Sequence, residues 1–542
     1  MKPAPLQWNL SHTYRSLPPM FFADGQPASF PNPQVLLFNR PLARELGLLE
    51  ARDAGADAGS SVVAHSRQQA PASGLKDCAP MAEAAGLFSG NRFPEGAQPL
   101  SQAYAGHQFG HFAMLGDGRA TLIGEQITPD GQRIDIQLKG NGRTPYSRRG
   151  DGKAALGPML REYLISEAMH ALHIPTTRSL AVVTTGENIY RSSLLTGAVL
   201  TRTAQSHIRV ATFQFAAALR EPDQLKALAD YTIARHFSEI LASGQADAAQ
   251  NPYQHLLQKV IARQIALVAR WQAVGFIHGV MNTDNMAIAG ETIDYGPCAF
   301  MDTYDPDTVF SSIDHQGRYR YSNQPPIAHW NLTRFAETLL PLFSEDQDEA
   351  IRMAHEALQS FGEHFDAVYQ QGMARKLGLF PRHGAAAEPQ GADAVTTAFD
   401  SEDAILIADL LTQMHAYSAD YTNTFVRLTR VVMGEDGSHL EGTEELFAAQ
   451  SFENWQARWQ ARLDQQPQSR QAVATAMQLA NPAVIPRNHQ VEAALDAAEA
   501  GDMQPFHALL AVLQHPFDHD ADLGAWQALP KDSRGYQTFC GT

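Results

Sequence analysis

At 542 residues, the chain is longer than a single ordinary domain core, which indicates two or three packed lobes. Its 44% apolar and 18% charged content is typical of a soluble globular protein. The 41 Lys and Arg against 58 Asp and Glu, a formal charge of -17, argue against a broad basic surface for nucleic acid. We find no run of about twenty apolar residues and no N-terminal signal pattern, and therefore expect a cytoplasmic protein without membrane contact.

The first part of the chain predicts an ordered arm and then a flexible insertion. Residues 1–50 mix proline, aromatic and leucine residues and end in a short helical pattern, RPLARELGLLE. Residues 51–82 are rich in Ala, Gly, Ser and Asp and lack apolar periodicity, which is typical of a flexible segment. The stretch near 383–398 has the same character and predicts a second insertion.

Two histidines raise the question of a metal site. His107 and His111 have the i, i+4 spacing of a zinc-binding helix, but Gly106 and Gly110 oppose a helix and no acid follows His107. We therefore predict a packed loop here.

Two strands predict one wall of a nucleotide site. The run GDGR at 116–119 forms a glycine-rich turn before ATLIGEQ. In the following RIDIQLKG, Ile134, Ile136 and Leu138 alternate as in a half-buried strand, and Lys139 ends it. Protein kinases carry a phosphate-binding Lys on their third strand. Taken alone, a Lys at the end of a strand is more often simply a solvated cation.

A cationic loop, NGRTPYSRRGDGK, follows this strand. Its four cations are Arg143, Arg148, Arg149 and Lys153. Guanidinium groups and exposed backbone N–H groups suit phosphate, so one interpretation is an anion site. The other is a solvated loop.

From Leu160 the pattern LREYLISEAMHALHIP predicts a helix that stops at Pro175. A kinase carries at this point the helix whose Glu pairs with the strand Lys. Glu162 and Glu167 are five residues apart, about 140° around a helix, so both cannot easily face one cleft. We favour Glu162 and keep Glu167 as the alternative.

The stretch HGVMNTDNMAIAGETIDYGPCAFMD at 278–302 predicts the catalytic and metal-binding loops. A kinase catalytic loop, H-R-D-x-x-x-x-N, supplies a base and a metal-binding Asn, and a following D-F-G supplies a metal-binding Asp. Asn285 has the spacing of that Asn, and DYG at 294–296 stands in place of D-F-G. Val280 occupies the position of the base, so the nearest carboxylate, Asp284, is the candidate.

Five residues of these segments occur in the order found in kinases, and this order favours an enzyme: Gly118, Lys139, Glu162, Asn285 and Asp294. One alternative is an ordinary phosphotransferase, although Val280 argues against it. Another is a nucleotide-binding scaffold without catalysis, against which the retention of Lys139, Glu162, Asn285 and Asp294 argues.

The sequence resembles the SelO family, the relatives of selenoprotein O, from about residue 85 onward. The resemblance is carried by YAGHQFGHF, LGDGRATLIGE, QLKGNGRTPYSRRGDGK, REYLISEAM, IPTTRSLAVVTTGE, HGVMNTDNM, TIDYGPCAFMD and NQPPIAHWNL, and by the terminal CGT. It implies an α+β, protein-kinase-like pseudokinase fold with two lobes, an N-terminal arm and a helical C-terminal region. The expected boundaries are 1–82 for the arm, 83–203 and 204–385 for the lobes, and 386–542 for the helical region.

The resemblance also implies a protein adenylyltransferase that transfers AMP from ATP to Ser, Thr or Tyr hydroxyls of other proteins, with UMP transfer from UTP as a further activity with Mn²⁺. Asp284 would be the base, Glu162 would position Lys139, and Asn285 and Asp294 would bind Mg²⁺ or Mn²⁺. The residues expected to hold the nucleotide are Gly116, Gly118, Arg119, Lys139, Asp151, Gly152, Arg202, Arg209 and Asp294.

The family carries a selenocysteine or cysteine close to the C-terminus, and Cys540 occupies that position. The resemblance suggests that Cys540 forms a disulfide with Cys298, just after the 294–296 run, and so restricts the metal-binding loop. Two free thiols are the alternative, since cytosolic disulfides are rare. Cys78 completes the set of three cysteines, which are too few for a disulfide scaffold and too scattered for a zinc site.

Overall fold

The computed structural model describes residues 6–50, 81–191, 193–243, 251–381, 401–531 and 535–539. Nearly all of the first predicted insertion and the whole of the second lie outside these residues, as do Cys78 and Cys540. The described residues form a mixed α and β structure with an antiparallel sheet, so this part of the predicted fold class is confirmed.

The strands are β1 (Leu10–Ser11), β2 (Phe22–Asp24), β3 (Gln34–Phe38), β4 (Leu100–Gln102), β5 (Ala105–Gln108), β6 (His111–Met114), β7 (Ala120–Ile127), β8 (Arg133–Lys139), β9 (Ala154–Ala155), β10 (Arg178–Tyr190), β11 (Leu194–Ala204), β12 (Phe276–Ile277) and β13 (Ala299–Phe300). The helices are α1 (Arg40–Glu45), α2 (Met81–Ser89), α3 (Leu156–Ala171), α4 (Val210–Ala218), α5 (Pro222–His236), α6 (Ser238–Ser243), α7 (Pro252–Ala273), α8 (Gln324–Phe343), α9 (Gln347–Leu358), α10 (Phe361–Lys376), α11 (Ser401–Ala416), α12 (Tyr421–Met433), α13 (Glu444–Ala448), α14 (Gln450–Asp464), α15 (Arg470–Ala480), α16 (Asn488–Glu499), α17 (Gln504–Leu513) and α18 (Gly524–Gln527).

The main sheet has the order β2-β4-β7-β8-β11-β10-β3, with β1 on β7 and β9 on β11. Its pairings are antiparallel. The described part of the predicted arm, residues 6–50, supplies β1, β2 and β3. Strands β2 and β3 form the two ends of the sheet order.

Strand β8 is the predicted strand RIDIQLK, but both of its faces are buried. Ile136 and Leu138 are 0% exposed and pack in one apolar cluster. On the opposite face Asp135, Gln137 and Lys139 are also buried. The prediction of a half-buried strand was wrong for this face because its polar side chains are paired inside the protein rather than solvated.

Helix α3 lies behind the sheet and is buried over nearly its whole length. It packs against β10 and β11 on one side and against α16 and α17 on the other. The helix begins four residues before the predicted start at Leu160. It ends at Ala171, and His173 then adopts a left-handed backbone, φ 58°, before Pro175.

The histidine segment forms a hairpin instead of the predicted packed loop. Strands β5 and β6 pair through His107–Phe112 and Gln108–His111. The two residues between the strands, Phe109 and Gly110, both have positive φ, 50° and 85°, as a two-residue hairpin turn requires.

The C-terminal helices form two apolar clusters. Helices α10, α11, α12, α14 and α15 contribute to one, and α16 and α17 join the large cluster that contains α3. Buried Arg487 donates to Asp302 at 2.7 Å and to Asp420 at 2.6 Å, which ties α16 and α12 to the loop after β13. In the part of the chain that is described, no helix has the length and apolar character to cross a bilayer.

Lys376, at the end of α10, provides a test of this packing. Its side chain is buried against aromatic rings, with Nζ 4.1 Å from the ring centre of Phe425. Burial lowers the pKa of Lys376 from 10.5 to about 7. The charged form is therefore penalised in the folded state, fully below pH 7 and progressively less as the pH rises toward 10.5.

We expect Lys376→Met to raise the free energy of unfolding at pH 6 by about 1–3 kcal/mol, because it removes a buried charge and keeps the apolar stem. The gain should shrink as the pH rises above 7. Urea unfolding at pH 6, 7.5 and 9 measures the difference. A gain that is the same at every pH would contradict the assignment of the effect to the ammonium charge.

Candidate active site

The buried polar face of β8 forms the floor of the site. Lys139 Nζ donates to Glu162 Oε2 of α3 at 2.6 Å and to Asp294 Oδ1 at 2.7 Å. Gln137, two residues earlier, accepts from Arg202 Nε at 2.8 Å. Strand β8 therefore aligns side chains that hold partners from α3, β11 and the loop before β13.

Asp294 is held by three cations. Its Oδ1 accepts from Lys139 and from Arg202 NH1 at 2.6 Å, and its Oδ2 accepts from Arg209 NH1 at 3.1 Å. Burial alone would raise the pKa of Asp294, but the three cations outweigh burial and hold that pKa well below the ordinary value. Asp294 is therefore ionised throughout the physiological pH range.

Arg209 joins this cluster to the loop that carries Asp284. The guanidinium NH1 that contacts Asp294 also donates to the backbone oxygen of Asp284 at 2.7 Å. The guanidinium carbon of Arg209, Cζ, lies 4.7 Å from the ring centre of Tyr104, which is a cation–π contact. The two loops therefore share one buried guanidinium.

Asp284 lies in a short 3₁₀ turn, Thr283–Asn285. Its side chain is buried, and its Oδ1 has no hydrogen-bond partner among the described residues. Burial raises the pKa of Asp284, and Arg209 opposes that rise without cancelling it. Asn285 donates through Nδ2 to the backbone oxygen of Val280 at 2.9 Å, which fixes its amide and leaves Oδ1 as an acceptor.

His278 has a structural contact rather than an exposed ring. It is buried, and its Nε2 lies 3.0 Å from the backbone oxygen of Ile293. Burial lowers the pKa of His278, which favours the neutral ring, and Nδ1 accepts from the backbone N–H of Val280 at 3.4 Å, so Nε2 is the nitrogen that donates to this oxygen. This contact fixes the backbone of Ile293, the residue before Asp294. Asp294 itself has a left-handed backbone, with φ of 65°. Such a conformation is strained for a residue other than glycine, and the surrounding ion pairs hold it.

A cleft of about 1470 Å³ opens over this cluster. The predicted nucleotide residues Gly116, Gly118, Arg119, Asp151 and Gly152 line it together with Lys139, Arg202 and Arg209. Asp151 faces Arg191, which donates to both carboxylate oxygens at 2.9 Å.

Two of these glycines are required by close approaches. A Cβ at Gly116, where φ is 134°, would lie 2.5 Å from Cγ of Tyr146. A Cβ at Gly152 would lie 2.1 Å from the oxygen of Gly142. The glycines thus let the backbone fold tightly along the wall of the cleft.

The cationic loop is partly built into the structure. Lys153 pairs with Glu187 at 2.5 Å, and Arg143 donates to the backbone oxygen of Gly150. Arg148 and Arg149 line the cleft. These two arginines are the members of the loop that are best placed to meet an anion.

The structure separates the two candidate glutamates of α3. Glu162 contacts Lys139 and also Arg202, at 3.2 Å. Glu167 instead accepts from Arg178 at 2.8 Å and from Asn39 at 2.8 Å. Only Glu162 therefore reaches Lys139.

Cys298 is buried, and burial raises the pKa of its thiol to about 12. Its predicted partner, Cys540, lies outside the described residues, so the disulfide stays a prediction. The nearby Thr538 donates through Oγ1 to the backbone oxygen of Pro297 at 2.6 Å, which brings residues 535–539 beside the residue that precedes Cys298.

Some residues of the site were not predicted. Asp117, between Gly116 and Gly118, is buried and accepts from the backbone N–H of Gln102 and from Gln137. Its place between two glycines at the start of a strand was an available signal. Arg191 and Gln108 gave no local signal, because the residues they contact are distant in the sequence.

The donors near Asp294 are compatible with a divalent cation. Among the residues described, no three His, Cys, Asp or Glu side chains form a metal cluster. Mg²⁺, however, is usually held by one or two protein oxygens together with substrate phosphates and waters. Asn285 Oδ1, an acceptor, and the carboxylate of Asp294 fit such a partial site, and Asp294 would share its oxygens with the cations that now contact them.

Arginines line the cleft above the buried ion pairs, and their guanidinium groups suit phosphate or carboxylate groups of a ligand. A family model described as "Protein adenylyltransferase SelO" matches residues 6–514. The chain therefore belongs to the SelO family, as the resemblance predicted.

The similar proteins include three that are named protein nucleotidyltransferase YdiU. The protein from Halalkalibacterium halodurans is 53% identical over 539 residues, which cover 99% of this chain and 98% of that protein's length. The proteins from Clostridium beijerinckii and Brevibacillus brevis are 51% and 52% identical. Each match covers 99% of this chain and 98% of the relative's length.

The two glutamates of α3 allow a matched comparison. We expect Glu162→Gln to weaken ATP binding roughly 10-fold, because Lys139 and Arg202 lose the charge that orients them, a hydrogen-bonded charge being worth about 1.5–3 kcal/mol. Glu167→Gln should lower the free energy of unfolding by a similar energy and leave ATP affinity within about twofold. Calorimetric titration with ATP and urea unfolding measure both variants. Normal ATP affinity in Glu162→Gln together with weakened ATP binding in Glu167→Gln would contradict the geometry.

Proposed function

We propose that this protein is a cytoplasmic adenylyltransferase that transfers AMP from ATP to Ser, Thr or Tyr hydroxyls of other proteins. The observation that carries the proposal is the match to the SelO family over residues 6–514. The site adds a buried carboxylate, Asp284, beside a cluster of cations and carboxylates.

The proposed fold is a protein-kinase-like fold with two lobes. Within the main sheet, the five neighbouring strands β4-β7-β8-β11-β10 are antiparallel. Of these five, β8 is the third along the chain, and Lys139 lies at its end. Helix α3 follows that strand and places Glu162 against Lys139, which is the arrangement of the Lys–Glu pair in kinases. On this interpretation residues 83–203 and 204–385 are the lobes, residues 1–82 are an arm that joins the sheet, and 386–542 are the helical region.

Each site residue has a proposed role. Arg119, Lys139, Arg202 and Arg209 neutralise phosphate charge, while the glycines at 116, 118 and 152 let backbone N–H groups approach the nucleotide. Glu162 orients Lys139 and Arg202. Asp151 holds Arg191 at the rim of the cleft.

Asn285 and Asp294 would hold the divalent cation, Mg²⁺ or Mn²⁺. When bound, such an ion draws electron density from the phosphate oxygens and stabilises the pyrophosphate leaving group. The chain itself supplies fixed positive charge from Arg202 and Arg209, which needs no rearrangement as charge develops.

Asp284 is the proposed base. An acceptor hydroxyl would give its proton to this carboxylate as the hydroxyl oxygen attacks the α-phosphorus. Val280, at the position of the kinase base, is buried and has no proton-accepting side chain. In this proposal the carboxylate of Asp284, four residues further along the same loop, replaces the base that Val280 cannot supply.

Labelled nucleotides test the proposal directly. Reduced protein, Mg²⁺ or Mn²⁺ and a cell extract are incubated with ATP labelled at either the α- or the γ-phosphate. We expect protein label only from the α position, and a loss of at least roughly 100-fold in Asp294→Ala because the phosphate charge is no longer organised. UTP labelled at the α position then tests UMP transfer. Protein label only from the γ position would identify a kinase instead.

The raised pKa of Asp284 predicts a pH dependence. A base must be ionised, so kcat should fall as the pH falls through this pKa, at values above the ordinary range for aspartate. Asp284→Asn should lower kcat roughly 100-fold or more and abolish that acidic limb, because the amide does not titrate. Initial rates of α-label incorporation between pH 5 and 9 measure both effects, and an acidic limb that persists in the variant would assign it to another group.

A further inference from the structure

The hairpin β5–β6 leaves the main sheet between β4 and β7 and lies on the turn that carries Asp284. Three successive hairpin residues contact three successive residues of the 282–284 segment. His107 N–H donates to Thr283 Oγ1 at 2.7 Å, and Phe109 N–H donates to Asn282 Oδ1 at 2.9 Å. Between them, Gln108 Nε2 donates to Asp284 Oδ2 at 3.4 Å.

The two backbones are in close approach at this interface. A Cβ at Gly106 would lie 2.6 Å from Thr283 Oγ1 and 3.5 Å from the backbone nitrogen of Asp284. A side chain at position 106 would push the hairpin off the turn. The glycine thus lets β5 seat the side chain of Gln108 beside the carboxylate.

The two oxygens of Asp284 have different surroundings. Oδ2 accepts the amide of Gln108, whereas Oδ1 is buried and has no partner within the described ranges. A carboxylate can rotate about its last bond, and a mechanism that uses it as a base needs one oxygen directed at the acceptor. A donor fixed on one oxygen sets the direction of the other.

We propose that Gln108 is a positioning residue for Asp284: its amide holds Oδ2 and thereby presents Oδ1 to the acceptor hydroxyl. This inference rests on the proposed adenylyl transfer. The proton of the hydroxyl passes to Oδ1, the hydroxyl oxygen forms a bond to the α-phosphorus, and the bond from that phosphorus to the bridging oxygen breaks. Pyrophosphate leaves, and Asp284 later returns the proton to water.

The length of the Gln108 contact, 3.4 Å, fits such a role in the absence of substrate. Hydrogen bonds between catalytic groups are often long in free enzymes and shorten in the substrate complex. The backbone bonds from residues 107 and 109 hold the strand in place while the side chain adjusts.

The test compares variants of the same hairpin. Gln108→Met keeps the length of the side chain and removes the donor, and Gln108→Glu replaces the donor with a carboxylate that repels Asp284. His111→Gln is the matched control, because His111 lies opposite Gln108 in the hairpin and is exposed. The probes are α-labelled ATP with Mg²⁺ or Mn²⁺ and the extract proteins labelled by the unmodified enzyme.

We expect Gln108→Met to lower kcat roughly 10- to 100-fold, the range for a misplaced catalytic group, with the KM for ATP within about twofold. Gln108→Glu should be slower than Gln108→Met. His111→Gln should match the unmodified enzyme, and thermal unfolding should be the same for all four proteins.

Other results overturn the inference. A Gln108→Met enzyme with unchanged kcat, or one in which KM for ATP rises in step with the loss of kcat, shows that Gln108 does not act through Asp284. An equal loss in His111→Gln assigns the effect to the hairpin as a whole. If the unmodified enzyme transfers no α-label, the proposed function itself fails, which is distinguishable from a normal rate in the Gln108 variants.

Discussion

The carboxylate of Asp294 is the group on which the rest of the site depends. It accepts from Lys139, Arg202 and Arg209, which come from β8, β11 and the residue before α4. Removing such a carboxylate would leave buried cations facing one another, and an uncompensated buried charge is strongly unfavourable. The same ion pairs therefore hold the elements of the site together.

The strand that supplies Lys139 explains how this charge is kept inside the protein. One face of β8 packs in an apolar cluster through Ile136 and Leu138. The other presents Asp135, Gln137 and Lys139, each with a partner: Asp135 binds His207 and Arg235, Gln137 binds Arg202, and Lys139 binds Glu162. Polar groups are stable in such a place only when they are paired.

The parts of the site that the sequence predicted are those with local patterns. The alternation in RIDIQLK placed Lys139 at the end of a strand, and the helical spacing of Glu162 and Glu167 indicated that both would not easily face one cleft. The mixed α and β content and the family followed from longer motifs. The contact of Gln108 with Asp284, 176 residues away, has no local pattern, and the burial of β8 on both faces depends on partners from distant segments.

Distant contacts also decide when the loop after Asp294 can be anchored during synthesis. Thr538 donates to the backbone oxygen of Pro297 across 241 residues, and Arg487 donates to Asp302 across 185. At roughly 5–20 residues per second, a ribosome needs about 10–50 s to pass from the first of these loops to Thr538. A nascent chain thus carries Lys139, Glu162 and Asp294 well before the residues that anchor the loop after Asp294 have been made. The loop after Asp294 is therefore anchored by contacts that can form only late in the order of synthesis.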